Sequence, residues 1–242
     1  MAWTCTGATN AELIANMGRF GLINSERIQA AMSKVDRANY VRHRSGAYED
    51  SPQYIGHGAT ISAPHMHAHA LESLLPFLHP GARVLDVGSG SGYLTAVLHH
   101  LVSAEHGTTG TVVGIEHIPE LVGWSMENLR RDGLEAAVND GHIKIVVGDG
   151  RQGYPSVGPY DVIHVGAAAP TMPAALVEQL ACPGRMFIPI GKAQQAIVQV
   201  DKDGEGKVTQ RELFGVMTER NRLESTAGEG QEWVLSTTVR KD

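Results

Sequence analysis

The sequence predicts an α/β fold: a doubly wound, mostly parallel sheet with helices at its N-terminal side and an antiparallel hairpin after it. Three observations carry that expectation. The short aliphatic runs RVLDVG (83–88), TVVGIE (111–116), IKIVVG (143–148), YDVIHVG (160–166) and RMFIPIG (185–191) alternate with apolar stripes at helical spacing. Such alternation lays strands parallel and covers both faces of the sheet with helices. The run DVGSGSG (86–92) then stands where the first of these strands gives way to a helix. Finally, 242 residues that are 42% hydrophobic and 19% charged supply a packed core and carry no disorder signature.

The elements follow in order. Asn10 is placed to cap a helix with Leu13, Ile14 and Met17 on one face, and Ser25 precedes a second with Ile28, Met32 and Val35. Gly18 and Gly21 separate the two. Residues 45–65 are rich in Ser, Gly, Pro and Tyr without a sustained period, so a long ordered loop is expected before a helix that begins after Pro64. Structureless runs of that length are uncommon in compact domains, which makes the loop a functional candidate. Beyond the glycine run, Leu94, Val97, Leu98 and Leu101 mark a helix. Pro119 starts another with Val122, Met126 and Leu129 inward, and Leu176, Val177 and Leu180 mark the helix before the last aliphatic strand. AIVQV (196–200) and VTQRELF (208–214), joined by DKDGEGK, form the hairpin. The expected organisation is one domain over 1–242: N-terminal helices and loop (1–80), an α/β core (81–191), and the hairpin with its tail (192–242).

Composition excludes several classes of function. Twenty Lys plus Arg against 26 Asp plus Glu gives a net charge of −6, which removes the electrostatic term that nucleic-acid binders depend on. Cys5 and Cys182 are the only cysteines, too few for a disulfide framework or a zinc ribbon. Residues 1–15 carry no Lys or Arg and no continuous apolar run, and no later run approaches the roughly 18 apolar residues of a membrane span. A cytoplasmic, soluble, monomeric protein without nucleic-acid or membrane partners is expected.

The glycine run carries the chemistry. Gly88, Gly90 and Gly92 allow a tight turn and a close ligand approach at a helix amino end, at the carboxyl edge of a parallel sheet. A dinucleotide fingerprint requires a third glycine at position 93, where Tyr93 stands. The resulting G-x-G-x-G spacing suits a nucleoside with an amino-acid tail, and Glu116, closing the second strand, is placed to accept both ribose hydroxyls. S-adenosylmethionine fits better than NAD. Asp149 and Gly150, ending the third strand, suit an adenine amino group and ring, and Asp86 supports the loop or a methionine amino group. A nicotinamide-dependent oxidoreductase is the alternative that Tyr93 disfavours.

The segment DSPQYIGHGATISAPHMHAHALE (50–72) resembles the signature of protein-L-isoaspartate O-methyltransferases. The similarity continues through LDVGSGSGYLTA, VVGIEHIPELV, VVGDGRQGYP and PYDVIHVGAAAP, as far as Val216. The resemblance implies an S-adenosylmethionine-dependent methyltransferase fold. It also implies methyl transfer to the free carboxylate of L-isoaspartyl residues in damaged proteins and peptides, followed by collapse of the ester to a succinimide that reopens partly as aspartate. It places Ala59, Thr60, Ile61 and Ser62 in the cofactor and acceptor site, with Ser62 and Thr60 as the catalytic pair and Ser62 also able to cap the following helix. His67, Gly88, Ser89, Gly90 and Ser91 help to hold the cofactor. The family's terminal Tyr-Val-Pro-Leu strand is replaced here by MTERNRLES, and its closing Thr and Gln correspond to Thr226 and Gln231.

Three motifs compete with this reading. Asp201, Asp203, Glu205, Gly206 and Glu212 occupy calcium-loop positions, but β-branched AIVQV makes a poor entering helix, so a hairpin turn is expected. HMHAH (65–69) lacks the glutamate of zincin spacing, and no metal site is expected. Arg37, Arg42 and Arg44 read as a solvated basic patch beside the loop.

Overall fold

A computed structural model describes residues 5–104, 107–192, 194–217, 234–235 and 238–239. Thr9 opens the first helix, accepting from the Glu12 amide at 3.2 Å while the Glu12 carboxylate reaches back to the Ala8 amide at 2.8 Å. This reciprocal pair satisfies amides that have no intrahelical partner. Helix α1 (Asn10–Arg19) buries Leu13, Ile14 and Met17, and α2 (Glu26–Lys34) packs on it through Ile28 and Met32. The cap therefore lies one residue before the expected Asn10. Asn10 instead donates to the Met32 and Val35 carbonyls at 3.3 and 3.1 Å, tying α1 to the end of α2. Val35 is buried but follows the helix rather than belonging to it.

The segment expected as a loop contains a small hairpin. Strands β1 (Gln53–Gly56) and β2 (Ala59–Ile61) pair antiparallel with Tyr54 opposite Thr60. His57, at a φ of 53°, turns the chain between Gly56 and Gly58, which also adopt positive φ. Strands of four and three residues carry too little alternation to be read from sequence. Helix α3 (Pro64–Leu74) begins at Pro64 itself, where a missing amide costs nothing.

The core then alternates. It contains β3 (Arg83–Val87), α4 (Tyr93–Val102), β4 (Thr111–Glu116), α5 (Pro119–Arg131), α6 (Glu135–Asn139), β5 (Ile143–Val147), β6 (Tyr160–Val165), β7 (Ala167–Ala168), α7 (Ala174–Gln179) and β8 (Leu180–Gly191). After it come β9 (Gln195–Lys202), β10 (Val208–Met217), β11 (Val234–Leu235) and β12 (Thr238–Val239). The main sheet has the order β12-β10-β9-β8-β6-β3-β4-β5, parallel from β8 through β5 and antiparallel from β8 to β12. The expected doubly wound, mostly parallel sheet and its terminal hairpin are both present. Leu180, expected as the end of a helix, is instead the first residue of β8, buried and opposite Tyr160. One core cluster gathers the N-terminal helices with α3 and α4, and a second fills the opposite face around Leu85, Ile163, Leu176 and Met186.

Because β3 leads to β4 and β5 on one side and has β6 on the other, the winding reverses direction at β3. A crevice opens at the carboxyl ends of strands flanking such a switch point. Among the described residues no helix is long and apolar enough to cross a membrane.

The stretch with calcium-loop spacing is the turn of the β9–β10 hairpin. Asp203 accepts from the Glu205 and Lys207 amides, both at 2.9 Å, and Asp201 pairs with Arg185 and accepts from Gln199. These carboxylates are bonded to neighbouring donors, and the turn joins two strands rather than the two helices that flank a calcium-binding loop. Millimolar calcium is expected to leave the melting temperature unchanged. An upward shift abolished by Glu212→Gln would contradict that expectation.

Candidate functional site

The crevice at the switch point is lined by residues from four places in the chain. These are Ala59, Thr60, Ile61 and Ser62 from β2 and its exit; His67 from α3; Asp86 and the run Gly88, Ser89, Gly90 and Ser91 after β3; and Tyr93, Leu94, Glu116, His164 and Gly166 beyond. The structure thus brings together ten of the fourteen residues named above for catalysis or cofactor binding. Asp86, held in reserve as a support, joins them.

The glycine run is held from both sides. Gly90, at a φ of 52°, donates its amide to Glu116 Oε2 at 3.1 Å, and a side chain there would press on Ile55 of β1. Glu116, only 1% exposed, also accepts from the His117 and Ile118 amides at 2.8 and 3.1 Å and lies 2.9 Å from His117 Nδ1. Its carboxylate joins the glycine run to the start of α5. Below the run, Asp86 accepts from the Thr95 hydroxyl at 2.6 Å and pairs with His164 Nδ1 at 2.8 Å. Mid-strand glycine at 114 makes room for Ser89, whose Cβ would otherwise meet a side chain at 2.9 Å.

Four polar atoms of the lining, Thr60 Oγ1, His67 Nδ1, Ser89 Oγ and Tyr93 OH, are buried without a partner. Buried polar groups are satisfied in native proteins as a rule, so the cleft is built for a polar ligand. Together with the Glu116 carboxylate, they fit a nucleoside carrying an amino acid. Among the described residues no group of three or more His, Cys, Asp or Glu could hold a metal ion.

Other expected residues fall elsewhere. Asp149 is outside the lining and caps the turn at 150–152; its hydrogen bonds to Arg151 hold the carboxyl below its usual range. Gly150 is outside it too, packed so closely on Val87 that a Cβ would collide. Thr226 and Gln231 lie outside the described residues. Ser62 does not occupy the helix cap, a position taken by Ala63. Of the HMHAH histidines only His67 lines the cleft; His65 pairs with buried Asp50 at 2.8 Å, and the His69 ring lies 5.3 Å from that of Phe214. The expected basic patch is corrected as well. Arg37 is fully buried, and Arg42 lies 3.7 Å over the Trp124 ring while donating to the Ile55 carbonyl. Of the three, Arg42 and Arg44 are exposed. Sequence reasoning passed over Tyr93 and His164 as ligand-facing residues. His164, a polar residue inside the otherwise aliphatic YDVIHVG, was the available signal.

The family model for protein-L-isoaspartate(D-aspartate) O-methyltransferase (PCMT) matches residues 8–218. The chain belongs to this family. It is 48% identical over 200 residues to protein-L-isoaspartate O-methyltransferase 1 of Arabidopsis thaliana, covering 83% of this chain and 85% of that protein. A Caenorhabditis elegans protein-L-isoaspartate O-methyltransferase is 45% identical over 225 residues, covering 91% and 97%. The fold superposes on a Plasmodium falciparum PCMT, crystallised in complex with S-adenosyl-L-homocysteine, with a TM-score of 0.79 at 36% identity. That match covers 87% of this chain and 97% of the other.

His67 makes the PCMT cleft sensitive to acid. Burial holds its imidazole well below the ordinary 6.5, with the charges of Arg37, His164 and His65 acting in the same direction. The unfolded chain therefore takes up a proton that the folded chain refuses. The cost is absent above about pH 6.5 and grows by about 1.4 kcal/mol per pH unit below it. The melting temperature is expected to fall between pH 6.5 and 5, and less steeply in His67→Gln. Parallel curves for the two proteins would refute this assignment.

Proposed function

We propose that this PCMT family member transfers a methyl group from S-adenosylmethionine to the free carboxylate of L-isoaspartyl residues in damaged proteins and peptides. The observation that carries the reading is the meeting of the 59–62 segment with the glycine run around one cleft, where four buried polar atoms lack protein partners. The cofactor, when bound, supplies a methyl group already activated on a sulfonium. An acceptor carboxylate with a pKa of about 4 is ionised at neutral pH, so no residue of the cleft has to remove a proton. The work left to the protein is alignment and exclusion of water.

In this reading the Ser62 and Thr60 hydroxyls orient the acceptor, and Ala59 and Ile61 form an apolar wall. Gly88, Ser89, Gly90 and Ser91 hold the amino-acid part of the cofactor with His67, and Glu116 accepts from the ribose. An adenine role for Asp149 and Gly150 requires Asp149 to share its carboxylate with Arg151. Thr226 and Gln231 complete the assignment at the C-terminal side. The methyl ester is then attacked by the next residue's amide nitrogen, which expels methanol and closes the succinimide; water reopens the ring partly to normal aspartate. The reading takes the protein as a cytoplasmic monomer acting on isoaspartyl proteins, without membrane partners; its two cysteines suit a reducing compartment, and its net charge of −6 weighs against nucleic acid. Tyr93 at the third-glycine position, 1% exposed, weighs against a dinucleotide.

Radiolabelled S-adenosylmethionine with paired aspartyl and isoaspartyl peptides tests the activity, with label expected only in the isoaspartyl member. Glu116→Ala removes charge-assisted acceptors worth roughly 1.5 to 3 kcal/mol each, so affinity for S-adenosylhomocysteine should drop on the order of tenfold or more by calorimetry. Unchanged affinity in a folded variant would refute the ribose role. Ser62→Ala is expected to lower turnover about five- to 150-fold, the equivalent of roughly 1 to 3 kcal/mol, while cofactor affinity stays nearly intact. Full turnover would move acceptor orientation to Thr60 and neighbouring amides.

A further inference from the structure

Arg37 stands directly behind the acceptor wall. It is fully buried, and among the described residues no carboxylate lies within ion-pair distance of it. Its Nη2 donates to the Ser62 carbonyl at 2.8 Å, while Nε and Nη1 are buried without a partner. The guanidinium lies 5.3 Å from the centre of the Tyr93 ring, which lies 5.1 Å from that of His67. Ser62, Tyr93 and His67 all line the cleft. Burial lowers the Arg37 pKa to about 10, leaving it charged at neutral pH. Asp50 offsets that charge only at longer range and gives its Oδ1 to the His65 ring and amide.

A buried cation without a paired anion is costly to keep. Its field is strong where it sits, because little water screens it. The one group it grips is the main chain of the residue assigned to the acceptor. We infer that Arg37 is a positioning residue that selects an anionic acceptor: its bond to the Ser62 carbonyl holds Ser62 against the cleft, and its fixed positive charge favours a carboxylate over an uncharged amide. This rests on the methyltransferase reading above. The two contributions are separable, since the guanidinium fork holds the carbonyl and the charge alone attracts the anion.

The test compares the wild-type chain with Arg37→Gln and Arg37→Lys, using an isoaspartyl peptide. KM and kcat are measured separately, S-adenosylhomocysteine affinity by calorimetry, and melting on the same preparations. In Arg37→Gln, KM should rise on the order of tenfold or more and kcat should fall, while S-adenosylhomocysteine affinity stays within about threefold. Arg37→Lys should restore KM, because the charge returns, but leave kcat lowered, because the fork does not. Unchanged KM and kcat in folded Arg37→Gln would overturn the inference, as would a parallel loss of S-adenosylhomocysteine affinity. If Arg37→Gln does not fold, Arg37→Lys decides: a near-normal KM with lowered kcat supports the inference, and a wild-type kcat overturns it. A wild-type chain that methylates no isoaspartyl peptide would defeat the activity reading, and this inference with it.

Discussion

The parallel pairing of β3 with both β4 and β6 is the constraint on which the rest depends. It sets Asp86 beside Gly114 on one side and His164 on the other. With that register, the turn after β3 emerges between two neighbours that both end at the same edge, and the winding reverses there. Everything the cleft needs is then within reach: Glu116 from the end of β4, His164 and Gly166 from β6, and the amino end of α4 ahead. A shift of the β3–β6 register would separate Asp86 from His164.

Electrostatics within this frame is arranged in layers. Glu116 spends its carboxylate on three amides of two loops, so one buried group holds two walls of the site. Asp86 is tied below by Thr95 and His164. Arg37 supplies the opposite sign from behind the 59–62 segment. The cleft is thereby preorganised, with its dipoles and charges already oriented by the fold, and such preorganisation is an efficient way to favour one charge distribution over another.

The small β1–β2 hairpin connects the two halves. Ile55 packs near Gly90, its carbonyl accepts from Arg42, and Arg42 rests on Trp124 of α5. Thr60 reaches the cleft because β2 is paired to a strand anchored in this way. His67, packed into the interior, makes the stability of this region depend on pH, chiefly through its burial.

Much was determined by the sequence alone. The alternation of aliphatic runs with helical stripes specified a parallel sheet, because period and length distinguish strands from helices without tertiary information. The G-x-G-x-G turn and Glu116 were legible for a related reason: a tight strand-to-helix turn and an acidic strand end are local features. Only the tertiary structure decided the rest. Nothing in the spacing of Arg37, Arg42 and Arg44 distinguishes a buried cation from two exposed ones, because burial depends on which distant side chains close over each residue. The same holds for Asp149, whose carboxylate is bonded to Arg151, and for His164, brought to Asp86 by a pairing across 78 residues. Chain period encodes elements; the environment of a charge is a property of the packed whole.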